Sequence, residues 1–191
     1  MTAPTHILTA LAAVVIVGQV FEIRPDAVHL AACLLGSLAP DIDGGGTITE
    51  PGRILRSFIG RFLANLLDAM VELLAATAQT LFGHRGFLHS PFLVGCLAGT
   101  GWYLDRDWLV WLSLGYASHV LADALTLGGI PVCSPLSSKR LSLSAMRTGS
   151  RSEFLLAVAL LVFVCGFGWA LLPEDVQRAH RLFYERMFAL R

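Results

Sequence analysis

The pair His119 and Asp123 is the strongest chemical signal in this chain. The two residues lie four positions apart inside an apolar stretch, 108–127. Residues at i and i+4 share one face of an α-helix, so the imidazole and the carboxylate would point the same way. Ionisable groups in such a helix are costly and usually face a polar cavity that holds their partners. The pair predicts a buried polar site, with a bare helical ion pair as the plainer alternative.

Further imidazoles and carboxylates lie near the ends of other apolar segments and could join this pair. They are His6, Asp41, Asp43, His84 and His89. Each has a plainer explanation when it is taken alone, such as helix capping for His6 or turn formation by the two aspartates before three glycines. A turn at the glycine between His84 and His89 would have to bring these two imidazoles together, because a spacing of five does not share a helical face.

The ligand types indicate which ions and which reaction the site would suit. Imidazole with carboxylate favours zinc, manganese or iron, whereas Mg²⁺ and Ca²⁺ prefer oxygen ligands. Seven candidates exceed the three or four protein ligands of one ion, so we predict two ions, zinc or alternatively manganese, bridged by Asp41 or Asp43. Two ions about 3.5–4 Å apart can hold the attacking and leaving oxygens of a phosphoester displacement, and bound water reaches a pKa near 7.

Other residues near the cluster suggest catalytic roles. Arg85 could bind the anionic group of a phosphate or carboxylate, because a guanidinium matches both bidentately. A carboxylate that does not hold an ion, Asp43 or Asp123, would act as the general base. The sequence contains no Gly-x-Ser-x-Gly elbow, Walker lysine loop, dinucleotide fingerprint or His-Glu-x-x-His motif. His29 and His180 lie away from the predicted site and are left out of it.

Composition favours a membrane protein. The 191 residues suit one domain, and 55% are hydrophobic whereas only 15% are charged, against about 25% charged in ordinary soluble domains. The formal net charge is zero and no basic stripe occurs, which argues against nucleic acid as a partner. The four cysteines have no CxxC spacing, so we expect free thiols. No basic residue precedes the first apolar run, so we expect no cleaved signal peptide.

Apolar segments along the chain predict an all-α integral membrane helical bundle that forms a single domain over 1–191. Five of them have helical patterns, at 4–21, 26–39, 91–104, 108–127 and 154–172. Two amphipathic stretches, 54–82 and 174–191, predict a surface helix and an interfacial tail helix. Spanning a bilayer takes about 20 residues, so the second and third segments would be short spans or partial ones.

Five crossings would bring all seven candidate residues to one side of the membrane. His119 and Asp123 would lie about 12 Å and 6 Å from that end of the fourth helix, at 1.5 Å per residue. The same side carries eight of the fourteen basic residues and the other side carries six. The positive-inside rule therefore favours the cytoplasmic side for the site.

The chain resembles the YdjM-like family of bacterial inner-membrane proteins, which are regarded as metal-dependent hydrolases. The matching stretches are Thr5-His6, LAPDID at 38–43, GHRGFLHS at 83–90 and LGYASHVLADALT at 114–126. The family often has threonine where this chain has Leu88. The resemblance covers roughly 2–137, and the remainder matches only as an apolar span and a tail.

The resemblance implies a bacterial inner-membrane, multi-pass, metal-dependent hydrolase. A more distant similarity to the zinc-dependent phospholipase C and fungal nuclease superfamily implies phosphoester chemistry. Our own hypothesis for the substrate is an anionic lipid or lipid-linked phosphate at the lipid–water interface. Those enzymes bind three zinc ions with the help of an N-terminal tryptophan amine. This chain begins Met1-Thr2-Ala3, so we expect two ions and not three.

Two other functions remain open at this point. Helical His-x-x-x-Asp pairs also suit a divalent-metal transporter, although a transporter places its site near the midplane with access from both sides. A non-catalytic membrane protein with a structural metal is the third reading, because structural sites differ from catalytic ones only in lacking an open coordination position.

Overall fold

The computed structural model describes residues 1–44, 51–82, 86–137, 139–171 and 182. Within them the chain forms α-helices joined by loops and short 3₁₀ segments. The helices are α1 (Ala3–Val20), α2 (Ala27–Leu38), α3 (Pro51–Phe82), α4 (Pro91–Tyr103), α5 (Asp107–Ala124) and α6 (Arg151–Phe167). The 3₁₀ segments are Ala39–Gly44, Phe87–His89 and Gly168–Leu171. The predicted all-helical class is confirmed for the described residues.

Local capping explains where several helices begin. The Asp26 carboxylate accepts the His29 backbone N–H at 2.9 Å and the His29 ring accepts the Asp26 N–H at 3.3 Å, which forms a reciprocal cap on α2. Pro91 occupies the first turn of α4, where its missing N–H costs nothing. The Ser150 hydroxyl accepts the N–H of Glu153, and α6 therefore begins three residues before the predicted apolar segment.

Helix α5 lies at the centre of the bundle and packs against α1, α2 and α4. Its contact with α2 is the most extensive, and two glycines make it close. A Cβ atom on Gly115 would lie 1.8 Å from the Cys33 carbonyl oxygen, and one on Gly36 would lie 2.1 Å from the Leu112 carbonyl oxygen. The backbones of α2 and α5 therefore touch, as small residues allow between membrane helices.

The outer surface of the bundle is rich in exposed apolar side chains. Leu35, Phe154 and Val162, on two different helices, are each about two-thirds exposed. Among the described residues, α1 is the one helix long and apolar enough to cross a membrane by itself. Of the five predicted crossings, the one by α1 is therefore supported by the length and composition of the helix, and the remaining crossings stay predictions. A shorter apolar helical segment runs over Ala27–Ile42, which comprises α2 and the start of the 3₁₀ segment after it.

The predicted surface helix is present but it is not continuous. It runs over Pro51–Phe82 and breaks at Gly60, whose φ of 77° and ψ of 164° lie outside the helical region. Only glycine reaches this backbone conformation at little cost, and the sequence pattern alone did not reveal it. The placement of α3 on the membrane surface stays a prediction, and the predicted tail helix 174–191 lies outside the described residues apart from Leu182.

Residues 125–137 and 139–150 form a lobe, here called the α5–α6 lobe. Ile130 and Leu141 exchange two backbone hydrogen bonds of 2.9 Å, and the Leu143 N–H donates to the Ala124 carbonyl oxygen at the end of α5. Gly129 has a φ of 56°, and a Cβ there would lie 2.5 Å from the Leu141 carbonyl oxygen. The predicted fourth helix therefore ends at Ala124, three residues early, because the chain turns back there.

Candidate metal centre

Four separate segments place five ionisable side chains in one buried cluster, here called the His–Asp cluster. Helix α1 contributes a histidine from its first turns, and the 3₁₀ segment after α2 contributes an aspartate. The 3₁₀ turn before α4 contributes a second histidine, and α5 contributes a third histidine and a second aspartate. The members are His6, Asp41, His89, His119 and Asp123. The histidines and Asp123 are at most 1% exposed, whereas the Asp41 side chain is 22% exposed.

Two imidazoles and two carboxylate oxygens form a nearly regular four-atom set. His89 Nε2 lies 3.5 Å from Asp41 Oδ1 and 3.7 Å from Asp123 Oδ2. His119 Nε2 lies 3.6 Å and 3.7 Å from the same two oxygens. These separations exceed the 2.7–3.2 Å range of ordinary hydrogen bonds. They approach the separation of about 3.4 Å between ligands bound tetrahedrally at about 2.1 Å. All four atoms lie within 4.8 Å of one another, a grouping that could hold a metal ion.

The other oxygen of each carboxylate faces His6. His6 Nε2 lies 3.9 Å from Asp41 Oδ2 and 3.5 Å from Asp123 Oδ1. Its ring stacks on that of His119, with the ring centroids 3.7 Å apart. The Met1 amino group, itself buried, also contacts Asp123 Oδ1. Both carboxylates therefore present one oxygen to the His89 and His119 pair and the other to His6.

Hydrogen bonds outside the His–Asp cluster orient the rings. The Ser37 carbonyl oxygen lies 2.7 Å from His119 Nδ1 and can only accept, so Nδ1 carries the proton. The lone pair of neutral His119 is therefore on Nε2, which faces the two carboxylates. The last turn of α2 leaves its carbonyls without helical partners, which makes this acceptor available. The Tyr116 hydroxyl donates to the Leu88 carbonyl oxygen and holds the turn that carries His89.

Several ring nitrogens in the cluster are buried with no hydrogen-bond partner among the described residues. They are both nitrogens of His6, both nitrogens of His89, and Nε2 of His119. A buried polar atom without a partner costs about 1–3 kcal/mol, and native structures contain few of them. A divalent cation would give the inward-facing nitrogens the partner that the protein does not supply.

The charge state of Asp41 is also consistent with a metal site. Burial alone would raise the pKa of its carboxyl, but the facing imidazole of His89 and those of His119 and His6 outweigh it and hold the pKa below its usual range. Asp41 is therefore ionised at neutral pH, as a cation ligand must be.

Five of the seven predicted ligands thus meet, and the others cannot be placed. Asp43 belongs to the 3₁₀ segment Ala39–Gly44, but its side chain lies outside the described residues, as do His84 and Arg85 altogether. Their predicted roles stay predictions.

The sequence interpretation missed three groups near the cluster. They are the Met1 amino group, the Ser37 carbonyl oxygen and the Glu153 carboxylate. Glu153 accepts the backbone N–H of Thr2 at 2.6 Å and its hydroxyl at 2.9 Å, which fixes the start of α1. A lone glutamate in the first turn of an apolar helix was the one signal available for it, and that signal is equally typical of an interaction with the helix dipole.

Taken together, the architecture defines a class of protein. It is an all-helical chain, apolar on its outer surface, that buries a histidine–carboxylate cluster able to hold a metal ion. A sequence profile of the YdjM inner membrane protein family matches residues 1–182. The chain belongs to this family, and its location is the bacterial inner membrane.

Individual relatives agree with the family assignment. The chain is 32% identical to inner membrane protein YdjM of Escherichia coli over 177 residues, which cover 85% of this chain and 81% of that protein. It is 30% identical to the uncharacterized protein YvsG of Bacillus subtilis over 191 residues, covering 98% of this chain and all of YvsG. Inner membrane protein YbcI of E. coli is 39% identical over 97 residues, 45% of this chain and 54% of YbcI. No solved structure matches the chain.

Proposed function

We propose that this protein is a membrane-bound, metal-dependent hydrolase that cleaves a phosphoester of a lipid or lipid-linked substrate. One observation supports it above all others: Asp41 and Asp123 each present their two oxygens to different imidazoles. Carboxylates placed in this way are suited to bridge two cations, as hydrolytic two-metal sites require.

The two positions differ in how many protein donors surround them. The position between His89 and His119 has four donors with the two carboxylates, the number of a closed tetrahedral site. The position beside His6 has three side-chain donors, namely His6 Nε2 and one oxygen from each carboxylate, and the Met1 amino group contacts one of these oxygens, Asp123 Oδ1. Three protein ligands with one place left open is the arrangement of catalytic zinc sites. The second position is therefore the one we assign to the substrate.

The donor set also favours particular ions. Three imidazoles with two carboxylates suit zinc, and manganese is the alternative. When bound, such ions act as Lewis acids toward a phosphoryl oxygen and lower the pKa of nearby water toward neutrality. The protein residues would hold the ions, orient the rings through Ser37, and keep bulk water out of a cluster whose histidines are at most 1% exposed. Asp41, the most exposed member, marks the side from which substrate would enter.

The remaining predicted roles belong to the same proposal. Arg85 would bind the anionic group of the substrate, and His84 could add a further ligand. Because this proposal uses both oxygens of Asp123 to hold ions, Asp43 is the predicted carboxylate left to serve as general base. The membrane location supports a lipid or lipid-linked substrate, because phosphoesters of this kind lie at the lipid–water interface beside the protein. We place the site on the cytoplasmic side, as the distribution of basic residues favours.

The test uses the full chain purified in lipid nanodiscs. We expect bound zinc or manganese by elemental analysis, and metal-dependent release of phosphate or of a phosphorylated headgroup from a panel of phospholipids and lipid-linked phosphates. His119→Ala and Asp123→Ala should lose metal and activity while still inserting into the membrane. His29→Ala removes a histidine that lies outside the cluster and should keep both.

The outcomes separate the three functions. Full metal content in both His119→Ala and Asp123→Ala would refute the ligand assignment. Metal-dependent ion uptake into liposomes without hydrolysis would establish the transporter instead. Tightly held metal with neither uptake nor hydrolysis would establish a structural ion.

A further inference from the structure

The α5–α6 lobe concentrates positive charge in a chain that has a formal net charge of zero. No acidic residue occurs between Asp123 and Glu153, and both of these are buried. The basic residues of the lobe and of the adjoining first helical residue are all exposed. They are Lys139, Arg140, Arg147 and Arg151. The exposed formal charge of this surface is therefore entirely positive.

The same lobe exposes aliphatic side chains between its basic residues. The Leu136 side chain is 95% exposed, the largest exposed fraction of any large apolar residue described. Others range from 59% to 38% exposed: Leu143, Leu127, Leu141 and Val132. Exposed apolar groups in this number mark a surface that contacts another apolar phase. Interleaved cations and aliphatic groups are typical of segments that lie in a membrane interface.

Helix α5 is one of the predicted crossings, and its length is compatible with a lobe that lies at a membrane surface, although α1 is the one described helix both long and apolar enough to cross a membrane by itself. The 18 residues of α5 span about 27 Å at 1.5 Å per residue, close to the hydrocarbon thickness of about 30 Å. Beside its first residue, Trp102 and Tyr103 are each 86% exposed and Trp108 is 45% exposed. Aromatic residues of this kind concentrate at the headgroup level. The lobe, at the other end of α5, would then emerge at the opposite surface.

We propose that the α5–α6 lobe is a binding surface for anionic membrane lipids. Lys139, Arg147 and Arg151 would pair with lipid phosphates, and Leu136 would enter the acyl region beneath them. Charge complementarity selects this occupant, because anionic lipid attracts clustered lysine and arginine near the bilayer whereas zwitterionic lipid does not. The proposal does not depend on metal binding or hydrolysis. It would, however, gather phosphate-bearing lipids beside Ala124, next to the His–Asp cluster.

An exposed native cysteine in the lobe allows a direct test. Cys133 is exposed and Cys33 is buried, so the substitutions Cys96→Ser and Cys165→Ser leave Cys133 as the accessible thiol. A fluorophore on Cys133 is measured in nanodiscs of phosphatidylcholine and phosphatidylglycerol, with one or the other lipid brominated as a quencher. We expect at least twofold stronger quenching by the brominated anionic lipid at equal mole fraction. In 1 M salt, where the Debye length is about 3 Å, the ratio should approach one.

A charge variant and a matched control sharpen the result. The triple variant Lys139→Gln, Arg147→Gln, Arg151→Gln should bring the quenching ratio to about one. A control with the same change in net charge, Arg24→Gln, Arg61→Gln, Arg106→Gln, should keep the wild-type ratio. Metal content is measured in the same samples and should match the wild type in both, which keeps this test separate from that of the enzyme.

Two results would overturn the proposal. Absence of quenching by either brominated lipid would show that the lobe faces water or a protein partner. Equal quenching by both lipids at low salt would show membrane contact without selection for negative charge.

Discussion

The substitution Gly115→Ala tests whether close contact between α2 and α5 sets the geometry of the His–Asp cluster. The new Cβ would lie 1.8 Å from the Cys33 carbonyl oxygen, and ordinary contact begins at about 3.4 Å. The two helices must therefore separate locally by roughly 1.6 Å, because the obstructing atom belongs to the backbone of α2. His119 and Asp123 lie on α5 one and two turns beyond this point, whereas Asp41 follows α2.

The magnitude of that shift decides the outcome. His119 Nε2 and Asp41 Oδ1 are now 3.6 Å apart, and the added separation would carry them toward about 5 Å. Two donors at about 2.1 Å from one ion can be at most about 4.2 Å apart. One donor must therefore leave the ion. Loss of an outer partner alone weakens metal binding about 10- to 100-fold, so we expect more than about 100-fold weaker binding here.

The assay is zinc affinity by competition with a chromophoric chelator, on protein purified in nanodiscs. Gly99→Ala is the matched control, because a Cβ on Gly99 meets no atom within 4 Å. It should keep wild-type affinity and gain a little helix stability. Circular dichroism of Gly115→Ala shows whether the bundle has folded, and Gly36→Ala offers an independent route to the same displacement. A folded Gly115→Ala protein with the affinity of Gly99→Ala would refute the reasoning.

Three further predictions concern the surroundings of the cluster. Tyr116→Phe removes the hydroxyl that holds the Leu88 carbonyl oxygen, and it should lower the unfolding free energy by about 1 kcal/mol and weaken metal binding about 10-fold or more. Glu153→Gln places an amide where a carboxylate accepts the Thr2 N–H, and it should lower the free energy of unfolding by about 1–3 kcal/mol, as measured by thermal unfolding. Adding zinc at a thousand times its dissociation constant should stabilise the chelator-treated protein by about 4.1 kcal/mol, whereas His119→Ala should show no such response.

Matched variants check each of these expectations. Tyr103→Phe alters a tyrosine that is 86% exposed and should leave stability and metal binding unchanged. Glu72→Gln removes a carboxylate from the exposed surface of α3 and should unfold like the wild type. His29→Ala should still respond to zinc. If Tyr116→Phe or Glu153→Gln behaves like its control, the hydrogen bond in question does not stabilise the fold, and a zinc response in His119→Ala would place the ion elsewhere.

Much of the helical architecture follows from local sequence signals. Apolar runs of 14 to 20 residues predict helices, and Asp26 and Pro91 mark two beginnings where the structure has them. Helix ends are less well predicted because they depend on contacts made far away in the chain. Helix α5 ends at Ala124 because its carbonyl accepts from Leu143. The break at Gly60 reflects one backbone conformation, which a pattern of apolar residues does not encode.

The composition of the cluster could be predicted, but its internal geometry could not. The i, i+4 spacing placed His119 and Asp123 on one face, and the threading of the helices brought His6, Asp41 and His89 to the same end. The orientation of each carboxylate toward two sets of imidazoles depends on differences of less than an ångström in the positions of its atoms. So does the bond from His119 to the Ser37 carbonyl, because any residue type could have supplied that backbone oxygen.

The convergence of distant segments on one cluster also constrains how the protein is made. The ligands begin at His6 and end at Asp123, so two-thirds of the chain must be synthesised and inserted before the set is complete. Under the proposed function, metal acquisition would be a late event in biogenesis, after α5 has joined α1 and α2. Until that moment the nascent chain carries uncompensated imidazoles at the membrane. A cell short of the ion would accumulate this immature form, and proteases that survey the inner membrane would have a means to recognise it.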